Sequence, residues 1–276
     1  MKIVFSPSKT KTLCGMPSKG SFRSSTTEYI SQHMTKLAVP QIAQVLKINE
    51  DKAGGVLEFF KDFSNQPVGN SCESYDGIAF KYLDWKGLDD EAQAFGDIRI
   101  VVLSGLYGIV EPNSPVTDYR LDIADRIGKV LPFEEILDVV TTLDDEVAPS
   151  GVSAATSTNT VNTVNTLYEL WQPAVDAYFH QEDWILNLAS KEYVKMIRHP
   201  RIVTIEFWEC KKNVWKQMST SSKMMRGTMG HYILANQVEE LKDLPKELDG
   251  FILATDVQGV TVPTESMTIR YERVTE

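Results

Sequence analysis

Three polar segments sit where apolar runs stop, and each carries side chains able to hold an anion. Ser6, Lys9 and Thr10 follow the run at 1–5, Ser104, Gly105 and Tyr107 follow the run at 98–103, and Asn187 and Ser190 close the run at 184–188. A fourth segment, Asp118-Tyr119-Arg120, ends the long loop that begins at Gly105. A fifth, at 221–227, brings Lys223 and Arg226 three residues apart, on one face of a helix. Lys9, Arg120, Lys223 and Arg226 together offer two ammonium groups and two planar guanidinium forks, the donor set suited to phosphate. The candidate ligand set is therefore Ser6, Lys9, Thr10, Ser104, Gly105, Tyr107, Arg120, Asn187, Ser190, Lys223 and Arg226. If the site is catalytic, Asp118 is the candidate general acid or base, and Tyr107 stacks or donates.

These residues meet only if strands bring them to one edge. In open α/β sheets the loops at the carboxyl ends of strands converge there. Strands are expected at 1–5, 98–103, 184–188, 203–207, 214–218, 251–254 and 267–274, the run at 203–207 alternating as a half-buried strand does. Ile30, His33, Met34 and Leu37 fall at helical spacing, with a start near Thr26 or Thr27 and His33 on the apolar stripe, as a core histidine would be. Pro40 opens a short helix, a second runs 51–63, and the tight turn between them makes 40–63 a helix–hairpin–helix shape. Further helices are expected at 89–95 (stopped by Gly96), at 132–142, at 167–179 (broken or begun at Pro173), at 191–197 and at 223–237. In the last, the segment 221–227 supplies the free N–H groups of a helix start. Early alternation and late hairpins predict one α/β domain over 1–276 with a mixed sheet flanked by helices and a helical appendage.

The net charge is −10, which looks hostile to nucleic acid, but it is unevenly placed. Glu134, Glu135, Asp138, Asp144, Asp145 and Glu146 fall in 131–166 with no base, and 150–166 is polar and repetitive, so about 129–166 reads as an acidic, low-complexity insertion. Residues 1–27 carry Lys2, Lys9, Lys11, Lys19 and Arg23 unopposed, and 210–231 add Lys211, Lys212, Lys216, Lys223 and Arg226. A local basic field of this kind can bind an anion whatever the total. Three cysteines without a CxxC pair favour a reducing compartment, and no run of 18 apolar residues or signal segment appears, so a cytoplasmic protein is expected. Scattered histidines without HExxH argue against a dedicated metal site, and no Walker loop, GxGxxG or GxSxG is present, so no cofactor is expected.

The blocks SPSKT, LSGLYGIVEP with DYRLDI, NLASKEY and SKMMRGTMGHYI, in this order across nearly the whole chain, resemble the signature blocks of the YaaA family of peroxide-stress proteins. The resemblance implies a mixed α/β fold of the family's own kind, a positively charged cleft, and a helix–hairpin–helix of the sort that grips DNA backbone. It also implies a role in limiting iron-driven oxidative damage to DNA. Two departures stand out: the acidic insertion, and a turn at Ile48-Asn49-Glu50 without the Gly-x-Gly that presents backbone N–H groups to phosphate. DNA is thus the first expected partner. An enzyme acting on a nucleotide or modified base is the alternative, and a protein-binding scaffold that uses the insertion is a third.

Overall fold

The computed structural model describes residues 1–19, 24–133 and 164–275. The acidic helix expected at 132–142, most of the polar repeat at 150–166, and Arg23 lie outside the described residues.

Five parallel strands form the middle of a nine-stranded mixed sheet. They are β1 (Lys2–Phe5), β3 (Ile100–Ser104), β6 (Ile185–Asn187), β7 (Ile202–Lys211) and β11 (Met267–Thr275), in spatial order β3-β1-β6-β7-β11. β4 (Gly108–Val110) closes one edge, while β10 (Phe251–Leu253) and β9 (Glu247–Leu248) extend the other antiparallel. β8 (Val214–Lys216) folds back on β7 through Lys212 and Asn213, both at positive φ, as a two-residue hairpin turn requires. β2 (Gly69–Asn70) and β5 (Pro115–Val116) pair separately. Ile3, Val4, Val101, Val102 and Ile185 are fully buried, because parallel strands are covered on both faces. Over 202–208 of β7 every second residue is buried, namely Val203, Ile205 and Phe207.

The helices sit mostly where the apolar spacing puts them. α1 (Ser25–Thr35) buries Ile30, His33 and Met34, and the His33 ring packs at 4.7 Å from Phe133. α2 (Val39–Leu46) and α3 (Glu50–Lys61) form a helical pair joined by a short turn in which several amides are used within the chain. The Lys47 and Ile48 N–H groups bond Ala43, the Lys52 N–H bonds the Asn49 side chain, and Glu50 and Asp51 add negative charge at the helix start.

Several boundaries differ from expectation. β3 begins at Ile100, since Ile98 is 63% exposed beyond the end of α6 (Asp90–Asp97). Gly96 lies inside α6 instead of stopping it, because the Trp85 ring occupies the space a Cβ would need. α8 (Leu167–Phe179) runs unbroken through Pro173: burial of Leu170, Trp171, Val175 and Phe179 outweighs the one lost helix bond. Residues 129–133 belong to the fold. α7 (Ile127–Val130) leads to buried Phe133, whose N–H bonds the Val164 carbonyl. α9 (Lys191–Val194) is shorter than expected, and α10 (Ser219–Ala235) starts four residues early.

Candidate functional site

β1 lies between β3 and β6, so the chain leaves β1 for one neighbour and returns later on the other side. Such a reversal opens a crevice beyond the strand ends. Its lip is stitched by two serines: the Ser190 N–H donates to Ser6 Oγ at 2.8 Å, and the Ser6 hydroxyl to Ser190 Oγ at 3.2 Å. Residues 119–122 and the start of α5 (Ile78–Leu83) face this lip, and α10 crosses beside it, packed on α5. Gly227 makes that packing possible, since a Cβ there would meet the Ala79 carbonyl. The cavity so enclosed holds about 460 Å³, the size of a small-molecule site.

Lys9, Arg120, Lys223 and Arg226 all line this cavity, as do Ser6, Thr10 and Ser190. Ser104, Gly105, Tyr107 and Asn187 do not; they hold its walls. Ser104 Oγ accepts the Leu106 and Tyr107 N–H groups and lies 2.8 Å from the Tyr119 hydroxyl. The Gly105 carbonyl accepts the Trp171 indole N–H, and the Tyr107 hydroxyl sits 2.7 Å from Thr117 Oγ1. Asn187 accepts the Ala189 N–H and donates to Thr204, fixing the exit from β6.

Asp118 is outside the cavity lining, with a mostly exposed side chain 4.0 Å from Lys11. The pairing of Arg120 with Asp118, natural for neighbours in the same block, is not made. Arg120 instead faces Asp122 at 3.9 Å and Asp125 at 3.6 Å. The helix start also falls elsewhere than 221–227. The Ser222 N–H bonds Met218, so Lys223 and Arg226 sit in the second turn of α10 and contribute their side chains, not free amides.

Four residues escaped the sequence reading. Asp122 is the hub: its carboxylate takes the Lys9 ammonium at 2.9 Å and the Tyr193 hydroxyl at 2.5 Å. Burial alone would raise its pKa, but the Tyr193 and Lys9 contacts outweigh that and hold it below the usual carboxylate value. Asp125, which accepts the Asp122 N–H at 2.7 Å, is pushed up to about 6 by burial. Lys11 is buried and pushed down to about 8 by desolvation. The available signal was the spacing of two between Lys9 and Lys11 and between Arg120 and Asp122, which places each pair on one side of an extended segment.

Arg226 is half-buried and lined by the same cavity, and burial pulls its pKa down. Its Nε has no hydrogen-bond partner. Among the described residues no carboxylate lies within 4.0 Å of Lys223 or Arg226, whereas Lys9 and Arg120 are paired. The α10 side of the cavity is therefore the one without a close ion pair, Glu206 acting on Arg226 only from a longer distance. No helix among the described residues is long and apolar enough to cross a membrane.

A family model described as "Peroxide stress protein YaaA" matches residues 1–134 and 143–255. Among similar chains, a UPF0246 protein of Finegoldia magna is 27% identical over 267 residues, covering 91% of each chain. One from Shewanella piezotolerans is 27% identical over 95% of this chain and 97% of its own. One from Alteromonas mediterranea is 25% identical over 85% and 84%.

Proposed function

Because the chain belongs to the peroxide stress protein YaaA family, we propose that its cleft takes the phosphates of DNA and that it limits oxidative damage through that contact. The observation that carries this reading is Arg226. A half-buried guanidinium with an unpartnered Nε, and with Glu206 acting on it only from beyond ion-pair distance, carries a desolvation cost that a phosphate oxygen would relieve. Lys223, three residues before it on α10, adds a second charge on the same wall. A volume near 460 Å³ admits one nucleotide and not a duplex, so DNA would present an end, a gap or an extruded residue there.

A second reading, catalysis on a nucleotide, is favoured by Asp122 and Asp125. Two adjacent carboxyls whose environments push their pKa values apart are the usual arrangement of an acid and a base. Asp122 lines the cavity and Asp125 accepts its N–H from outside the lining, whereas Asp118 and Tyr107 both lie outside the lining.

The test is a titration of labelled 5′-phosphorylated DNA at several salt concentrations. Binding should weaken along a straight log–log line of slope about −0.7 to −0.9 per phosphate contacted, and Lys223→Ala should flatten the slope by about one contact. No binding at low salt, or binding indifferent to salt, overturns the reading. Steady conversion of the nucleotide, lost in Asp125→Asn, would favour the enzymatic one.

A further inference from the structure

One group in the cavity is used neither by phosphate binding nor by the Asp122–Asp125 pair. Lys11 lines the cavity, yet its side chain is only 1% exposed, against 67% for Lys9. Its ammonium donates to the Tyr119 carbonyl at 2.7 Å and lies 4.1 Å from the centre of the Tyr119 ring. The Tyr75 ring is 5.9 Å away on another side. Among the described residues the one carboxylate within 4.0 Å, Asp118, is largely in water, while Asp122 is engaged by Lys9 and Tyr193. Arg120, close by, opposes a second positive charge.

We propose that Lys11 is the nucleophile of an imine-forming site whose ligand is a phosphate ester carrying an aldehyde. The inference rests on the phosphate reading of the cavity, with the cations of α10 anchoring the phosphate and Lys11 meeting the carbonyl. Such a ligand arises in two ways, as a free sugar phosphate or as an abasic nucleotide within DNA.

The surroundings supply what the chemistry needs. Attack requires the neutral amine, and desolvation among aromatic rings favours it. A lysine brought from 10.5 to about 8 carries roughly 300-fold more neutral amine at pH 7 than one in water. The nitrogen lone pair forms the C–N bond while the C=O π pair moves to oxygen. The Asp118 carboxylate accepts the proton from nitrogen, and the oxygen is protonated to a hydroxyl. The carbinolamine then loses that hydroxyl with one further proton as water, leaving C=N. One water is released, and nothing is oxidised or reduced.

The experiment is reductive trapping with sodium cyanoborohydride, which reduces imines and spares aldehydes, followed by peptide mass mapping of the whole protein. Glyceraldehyde 3-phosphate and an oligonucleotide with an aldehydic abasic site are the two probes. The same oligonucleotide with a tetrahydrofuran at that position, which binds but cannot form an imine, is the control. The expected result is an adduct on Lys11 at least tenfold above that on any other lysine, half-maximal near pH 8, and lost in Lys11→Arg. Site mapping in the wild-type chain stands even if that variant folds poorly. Labels spread over exposed lysines such as Lys9, or equal trapping in Lys11→Arg, overturn the proposal. So does binding of the tetrahydrofuran control without trapping of either probe, an outcome that leaves the phosphate reading intact. Trapping of the sugar phosphate alone keeps the imine site and removes DNA from the reading. Failure of binding and trapping together overturns both.

Discussion

Replacing Asp125 by asparagine should stabilise the protein, and by an amount that depends on pH in a defined way. The Asp125 side chain is 12% exposed, accepts the Asp122 N–H at 2.7 Å, and faces Arg120 at 3.6 Å. Burial lifts its pKa from 3.8 to about 6. Below both values the carboxyl is neutral in the folded and unfolded chains, and folding is not penalised. Between 3.8 and about 6 the unfolded chain ionises first, so stability falls as pH rises through that window. Above it the loss is complete, at about 1.4 kcal/mol per pKa unit or about 3 kcal/mol in all. Asparagine keeps an oxygen for the Asp122 N–H and carries no charge. Asp125→Asn should thus be more stable than wild type by about 2–3 kcal/mol at pH 8, with the gap closing toward pH 4. The assay is urea unfolding of both proteins at pH 8, 6 and 4.5, compared at equal slope. A gap that stays constant, or widens as pH falls, would refute the assignment of a burial-strained carboxyl.

Three other substitutions probe the framework. Gly227→Ala should drive α10 from α5 through the Ala79 carbonyl, costing about 1–3 kcal/mol and lowering the melting temperature by several degrees. Tyr119→Phe removes the hydroxyl between Ser104 Oγ (2.8 Å) and the Tyr75 hydroxyl (3.3 Å), so chemical unfolding should show a loss of about 1–2 kcal/mol. Arg120→Ala should both weaken phosphate binding about tenfold or more and destabilise the loop, because Asp122 and Asp125 lose their shared guanidinium. Unchanged melting with weaker binding would make Arg120 a ligand only.

Much of the frame was legible because burial leaves a periodic trace. The runs at 1–5 and 184–188, and the alternation of Val203, Ile205 and Phe207, mark strands that the fold uses. Ile30, His33 and Met34 mark the inner face of α1. What failed were the local rules that tertiary packing overrides. Pro173 stays inside α8 because both its flanks are buried, and Gly96 is a seat for Trp85 and not a stop signal. The helix expected from 223 starts at Ser219 instead, which moves Lys223 and Arg226 into the second turn. In the site, residue type pointed to Lys9, Arg120, Lys223 and Arg226, which border one cavity. Partners were harder to read, because Asp118 and Asp122 stand equally far from Arg120 along the chain, and only the fold turns Asp122 toward Arg120 and Asp118 toward Lys11. Ser104, Gly105, Tyr107 and Asn187 lie at the right strand ends but turn inward to hold the walls.

The cavity's claim on phosphate is tested most directly by a crystal structure of the protein with a 5′-phosphorylated dinucleotide. The account predicts a phosphate group in the cavity, with one oxygen within hydrogen-bond reach of Arg226 Nε and another facing the Lys223 ammonium. A dinucleotide held on another face, with Arg226 Nε still unpartnered, would contradict it.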